Sequence, residues 1–236
     1  MSDSVVIIPT FNESENVEKM VRKVMSLEKD FHLLFVDDSS PDGTADIIRD
    51  LQKEFPGRIY LEVRTGKLGL GTAYIHGFKW STNAGYDFIF EMDCDFSHNP
   101  DDLIRLYKAC VDGADLSIGS RYVRGGKVTN WPMKRILMSY FASVYVRLIL
   151  WIGIKDTTAG FKCYRREVLE KINLDGVTFK GYAFQICMKY AAKKHGFKIT
   201  EVPITFIDRV FGESKMSTGI FKEAFFGVWK MRGMDL

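Results

Sequence analysis

Phe88-Ile89-Phe90-Glu91-Met92-Asp93-Cys94-Asp95-Phe96-Ser97-His98-Asn99-Pro100 decides how the rest of the chain is read. An apolar run ends in two acidic residues and breaks at Asn99-Pro100, which predicts a buried strand over 88–92. Residues two apart on a strand share a face. Asp93 and Asp95 are therefore expected to aim together, with Cys94 pointing away. Two carboxylates this close cannot both stay ionised without a countercharge. A divalent cation with hard oxygen ligands, Mg²⁺ or Mn²⁺, is the natural one, and such ions bridge carboxylates to substrate phosphates. A solvated strand end whose aspartates cap the next helix would use the same residues.

Upstream, Val5-Val6-Ile7-Ile8 closed by Pro9 predicts a first buried strand, and Asn12 is placed to cap a helix over 13–27. A second run over 31–36 ends in Asp37-Asp38. Ser39-Ser40-Pro41-Asp42-Gly43 then has turn chemistry, and Thr44 opens a helix that Pro56-Gly57 ends. A third strand is expected over 59–63. Gly66-Lys67-Leu68-Gly69-Leu70-Gly71 leads into a helix reaching Asn83, Pro100 starts another, and a fifth strand follows over 116–119. Strands alternating with helices predict an α/β fold, a mostly parallel central sheet with helices on both faces.

The polar residues cluster after the strands: Thr10 and Glu13, Asp37-Asp38, Arg64, Asp93 to Ser97, Ser120-Arg121. Open α/β sheets bind ligands at that edge. A dinucleotide fold would place Gly-x-Gly-x-x-Gly after the first strand, where this chain has Pro9-Thr10-Phe11-Asn12-Glu13. The later glycine loop has the wrong spacing for that motif and lacks the Gly-Lys-Ser/Thr of a P-loop. No Ser/His/Asp or Cys/His pattern is legible, and His98 reads better as a structural histidine near a turn than as a ligand.

A chain of 236 residues with 46% hydrophobic and 27% charged residues can bury a core of ordinary size. A net charge of +3 is too small to argue for a nucleic-acid partner. Cys94, Cys110, Cys163 and Cys187 are widely spaced, as expected of reduced, buried thiols in a cytosolic protein. Asp3 leads straight into the first strand, so no leader is expected.

Residues 136–154 are long and apolar enough to raise the question of a membrane span. Arg147 near the centre would cost about 2.5–3.5 kcal/mol there. Arg135, Ser139, Ser143 and Arg147 recur every four residues, one polar stripe on a helix. A helix lying on a membrane surface or on the core fits that pattern better than a span. Near the C-terminus Phe221, Ala224, Phe225, Val228 and Trp229 repeat the amphipathic pattern.

Seven blocks in order now carry a family resemblance. They begin with Ile8 to Glu13, Val36 to Thr44, Gly66 to Gly71 and Asp93 to His98. Gly119 to Tyr122, Asp156 to Lys162 and Lys180 to Gln185 follow, and the likeness continues from Arg209 to Lys215. The sequence resembles family 2 glycosyltransferases, and within them the dolichyl- or polyprenyl-phosphate mannose synthases. The resemblance implies a glycosyltransferase A-type fold, with 1–236 as one catalytic domain carrying interfacial segments near 134–154 and 219–232. It implies an inverting transfer of mannose from GDP-mannose to a dolichyl or polyprenyl phosphate, on the cytoplasmic face of a membrane. A UDP-glucose or UDP-N-acetylglucosamine donor is the alternative, with a polyprenyl phosphate or glycan acceptor. A non-catalytic binding subunit is disfavoured because the charged site residues are all kept.

By the same resemblance Pro9, Phe11, Glu13, Val36 and Asp38 form the pocket for the donor's guanosine, and Cys94 and Lys180 join the donor-binding set. Asp93, Asp95 and Ser97 match the metal ligands. Arg121, Arg209 and Lys215 would hold the diphosphate and the acceptor phosphate, the last two on a loop that Gly212 lets close. An acceptor phosphate is already anionic, so no obligatory general base is expected. Many relatives carry C-terminal membrane helices, and none is expected from the residues up to Leu236. Either the two amphipathic segments or a separate membrane-anchoring protein is then expected to hold it at the bilayer.

Overall fold

The computed structural model describes residues 2–208 and 218–236, with backbone only for 218–224. Seven strands form the main sheet, in spatial order β3-β2-β1-β4-β7-β5-β8. They are β1 (Ser4–Thr10), β2 (His32–Asp37), β3 (Ile59–Val63), β4 (Phe88–Glu91), β5 (Leu116–Ser120), β7 (Lys162–Arg165) and β8 (Ile199–Pro203). All neighbours pair parallel except β7, which runs antiparallel to both β4 and β5. The first five are the strands that the apolar runs predict. A parallel pair of short strands, β6 (Lys127–Thr129) and β9 (Thr205–Ile207), forms a second sheet.

The pleat of β1 divides the core. Val5 and Ile7 pack on one face with Tyr74 and Phe78 of α3 (Leu70–Asn83) and Phe184 of α7 (Tyr182–Lys194). Val6 and Ile8 pack on the other with α1 (Val17–Met25), α2 (Thr44–Glu54) and α4 (Asp102–Val111). Parallel strands covered on both sides read as continuous apolar runs, which is why they were legible. Strand order reverses between β1 and β4, and their carboxyl ends open the crevice where α/β sheets bind ligands.

Two local expectations are corrected. The first helix starts at Val17, not at 13, and Asn12 adopts a left-handed φ of 57° instead of capping it. The amides of Asn12, Glu13 and Ser14 donate to Ser40 Oγ, Thr44 Oγ1 and Asp42 Oδ2, each at 3.0 Å. These side-chain acceptors compete with the helix for the backbone, and they tie the loop after β1 to the loop after β2. The second correction concerns the acidic pair. β4 ends at Glu91, so Asp93 and Asp95 lie in the loop beyond it, where Phe96 has a φ of 58°.

The helix α5 (Met133–Leu150) turns its polar stripe inward. Ser143 is buried against Thr157, Arg135 pairs with Asp208, and the buried Arg147 Nε has no partner among the described residues. Leu137, Met138, Phe141 and Leu148 face out instead. α8 (Thr218–Met231) packs beside it, with Phe225 stacked on Tyr145 at 4.7 Å and Trp229 Nε1 donating to Tyr145 Oη at 3.0 Å. Phe226 and Trp229 add to the exposed apolar face, while Val228 and Met231 are fully buried. No helix among the described residues is long and apolar enough to cross a membrane. All four cysteines are buried free thiols.

Candidate active site

The loops after β1, β2, β4 and β5 converge on a cavity of about 420 Å³. Pro9, Phe11, Glu13 and Asp38 line one end, and Asp93, Cys94, Asp95, Ser97, Arg121 and Lys180 line the rest. Val36 is fully buried in the core and is not among the lining residues. Arg209 and Lys215, and the loop that Gly212 was expected to hinge, lie outside the described residues.

The two adjacent aspartates after β2 divide their work. Asp37 is structural: it accepts from Thr10 Oγ1 (2.8 Å), the Ser40 amide (2.9 Å) and Ser40 Oγ (2.6 Å). Asp38 is held at the cavity wall by Arg64 Nε at 2.6 Å and the Leu68 amide at 3.2 Å. The glycine loop allows a close approach of two backbone segments. A Cβ on Gly71 would stand 2.4 Å from the Phe179 carbonyl oxygen, and the Gly71 amide donates to the Lys180 carbonyl at 2.9 Å. That contact sets Lys180 on the cavity wall.

Around the acidic pair the loop is tightly organised. The Ser97 amide donates to Asp95 Oδ1 at 3.0 Å, and Tyr74 Oη reaches Asp93 Oδ1 at 3.4 Å. The Asp93 side chain is 38% exposed and faces the cavity. His98 stacks on Phe161 at 5.0 Å, and its Nδ1 accepts the Asp93 amide at 3.3 Å. Burial lowers His98 to about 4, so the ring is neutral near pH 7 with its proton on Nε2, a structural histidine. Two carboxylates and a hydroxyl are hard oxygen donors suited to Mg²⁺ or Mn²⁺, which keep waters and phosphate oxygens as their other ligands. Among the described residues no cluster of three or more His, Cys, Asp or Glu is arranged as a metal cage. Asp93, Asp95 and Ser97 would fill only part of the shell of such an ion.

Arg121 is buried and locked in place. Its Nε and Nη2 donate to Asp156 at 2.7 and 2.6 Å, and Nη2 also donates to Thr158 Oγ1 at 2.8 Å. Burial alone would raise the Asp156 carboxyl, but the guanidinium outweighs it and holds the group below the usual range. The 155–160 loop is itself fixed from three sides. Glu201 accepts the amides of Lys155 (2.8 Å) and Asp156 (2.9 Å), and Ser143 Oγ accepts the amide of Thr157 (3.3 Å). The buried Lys189 ammonium donates to the carbonyls of Thr157 (2.9 Å) and Ala159 (2.6 Å).

Sequence reasoning missed Trp131, Arg135, Thr158, Tyr182 and Gln185 as lining residues. Thr158, Tyr182 and Gln185 sit inside blocks that resemble the family, which was the available signal. Arg135 was read only as part of a helical stripe. Arg121, Trp131, Arg135, Thr158 and Tyr182 also line a second cavity, an apolar groove of about 1180 Å³ between α5 and α8. Its walls include Leu137, Phe141, Val146, Ile186 and Phe225.

The sequence pattern described as "Glycosyl transferase family 2" matches residues 5–173, well over half of the chain. The chain belongs to glycosyl transferase family 2. This glycosyltransferase is 50% identical over 232 residues to the polyprenol monophosphomannose synthase of Mycolicibacterium smegmatis, covering 98% of this chain and 88% of that one. It is 46% identical over 218 residues to the undecaprenyl-phosphate mannosyltransferase of Micrococcus luteus, covering 92% and 89%. The fold is shared with glucosyl-3-phosphoglycerate synthase of Mycobacterium tuberculosis, solved with Mn²⁺ and UDP. There the TM-score is 0.69 at 16% identity, covering 97% of this chain and 78% of that one. A mannosyltransferase of Pyrobaculum calidifontis, solved with GDP-Man and Mn²⁺, superposes with a TM-score of 0.60 at 15% identity over 98% and 70%. These establish the glycosyltransferase A-type fold that the sequence resemblance implied.

Proposed function

We propose that this glycosyltransferase moves mannose from GDP-mannose to a polyprenyl phosphate and inverts the anomeric centre. The observation that carries the reading is the junction of a cavity lined by charged side chains with an apolar groove, with Arg121 and Arg135 lining both. An acceptor with an anionic head and a long apolar tail fits that pair of spaces. The mannosyl and polyprenyl specificity is supported by the two relatives at 46–50% identity. The nucleotide occupies the Pro9–Phe11–Glu13–Asp38 end, and its diphosphate lies toward Asp93, Asp95 and Lys180. Asp93, Asp95 and Ser97 would hold the divalent cation, which supplies positive charge where the leaving diphosphate becomes more negative. Arg121, immobilised by Asp156 and Thr158, orients the phosphate without needing to reorganise. The acceptor oxygen is already anionic, so the protein positions it and removes no proton.

Donor screening tests the reading. Purified protein with Mn²⁺, a polyprenyl phosphate and labelled nucleotide sugars should yield solvent-extractable label from GDP-mannose and little from UDP-glucose or UDP-N-acetylglucosamine. Faster transfer from either UDP sugar would overturn the donor assignment.

The outward apolar face of α5 and α8 supports a peripheral, interfacial seat for one catalytic domain. A span would have its cation facing lipid, whereas here the polar stripe faces the protein. The apolar groups left outside are those that a bilayer interface accommodates. Replacing Phe141 and Phe226 with serine should weaken binding to polyprenyl-phosphate-containing vesicles by roughly a hundredfold or more, since each buried phenyl contributes about 1.5–3 kcal/mol. Vesicle sedimentation reads the change; unaltered binding would move the contact elsewhere on this chain, and no binding by the native protein would assign the seat to a separate anchoring protein.

A further inference from the structure

We propose that Trp131 binds the acceptor directly, its indole N–H donating to an oxygen of the acceptor phosphate where the cavity opens into the groove. The proposal rests on the acceptor reading above and adds a residue to it. Trp131 lines both spaces, so a ligand that runs from one to the other passes along its ring. The ring is held rather than loose. The Arg135 guanidinium lies 4.0 Å over its centroid, Phe206 meets it edge-on at 5.2 Å, and the Arg121 guanidinium stands at 5.5 Å.

The polar end of that ring is unsatisfied. Nε1 is buried and has no hydrogen-bond partner among the described residues, so a phosphate oxygen meets it only when the side chains packed over it shift as the acceptor enters. An indole nitrogen can only donate, and a buried donor without an acceptor is costly and calls for an explanation. The two guanidiniums nearest the ring also only donate. The nearby acceptors are engaged: Asp208 takes Arg135 Nη1 at 3.1 Å with both oxygens, and Thr158 Oγ1 takes Arg121 Nη2. One unpartnered N–H beside two guanidiniums, each already paired with a single carboxylate, suits an acceptor-rich anion, and a phosphate supplies it.

A donor diphosphate and an acceptor phosphate share this chemistry, so the test separates them. Trp131→Phe keeps an aromatic ring for Arg135 to stack on and removes the N–H. It should raise KM for a short-chain polyprenyl phosphate about tenfold, the factor that 1.4 kcal/mol carries. KM for the nucleotide sugar should stay unchanged, and kcat within about twofold. Benzothienylalanine at 131, the same bicycle without the N–H, should reproduce the shift if phenylalanine perturbs folding. Arg135→Gln is run alongside. An acceptor KM raised by Arg135→Gln but untouched by both Trp131 replacements overturns the proposal and leaves the acceptor reading standing. A shift confined to the nucleotide-sugar KM also overturns it. An acceptor KM indifferent to all three replacements removes the acceptor reading itself.

Discussion

Asp93→Asn is expected to lower kcat by about 10²–10³, the range seen when one preorganised group that stabilises developing charge is removed. Asp93 faces the cavity on a short loop, and its partner Asp95 is almost fully buried beside it. Asparagine keeps the size and one oxygen but removes a negative charge from the group that would hold the cation. The fold should tolerate it. Asp93 lies beyond the end of β4, and an amide oxygen can still accept from Tyr74 Oη. The loop backbone is held independently by the Asp93 amide on His98 Nδ1 and the Ser97 amide on Asp95 Oδ1. Turnover at saturating donor and acceptor, titrated with Mn²⁺, is the measurement, paired with a melting curve. A rate near that of the native protein with an unchanged melt would move the cation site elsewhere.

Glu91→Ala is expected to act on stability instead, by about 3–5 kcal/mol, the usual cost of breaking a fully buried ion pair. Glu91 and Lys162 are both completely inaccessible and sit 3.0 Å apart. Glu91 also accepts from Tyr164 Oη at 2.7 Å and from Gln185 Nε2 at 2.9 Å, and Lys162 Nζ bonds Gln185 Oε1. Burial pulls the Lys162 ammonium below its ordinary value, and the Glu91 charge opposes that. Alanine at 91 leaves one cation and two donors unpaired in the core. At roughly 2–4 °C per kcal/mol for a chain of this size, the melting temperature should fall by roughly 6–20 °C. Adding Lys162→Met should recover part of the loss, because the unpaired charge goes, but Tyr164 and Gln185 still lack their acceptor. A fall under about 2 °C for Glu91→Ala would mean that the pair is not the buried unit described.

That network explains one limit of the sequence. Lys162-Cys163-Tyr164-Arg165 is short and half cationic, with nothing to mark it as a central strand. It becomes β7 because Glu91 on its antiparallel neighbour neutralises Lys162. Such a pairing joins residues 71 apart in the chain, and no local pattern reports it. The acidic pair shows a related case. Asp93 and Asp95 do line one cavity, but a loop brings them there, not the alternation of a strand.

The sequence by itself determined the parallel strands β1 to β5, because each carries an apolar run long enough for a strand, nearly continuous in the buried β1, β2 and β4. It also marked the sheet edge where the cavity opens, because polar residues follow each of those strands. The donor and metal candidates from Pro9 to Lys180 came through the family resemblance, and among the described ones all but Val36 line the cavity. Only the tertiary structure decided which way the stripe on α5 faces. Period reveals that a helix has two faces, while the neighbours decide which is buried, and here Thr157 and Asp208 draw the polar side inward. Only the tertiary structure joined Trp131 and Arg135 to the site, because the helix carrying Arg135 reaches the cavity through packing against distant loops. The junction of the charged-residue cavity and the apolar groove arises from the same packing, and no single stretch of the chain encodes it.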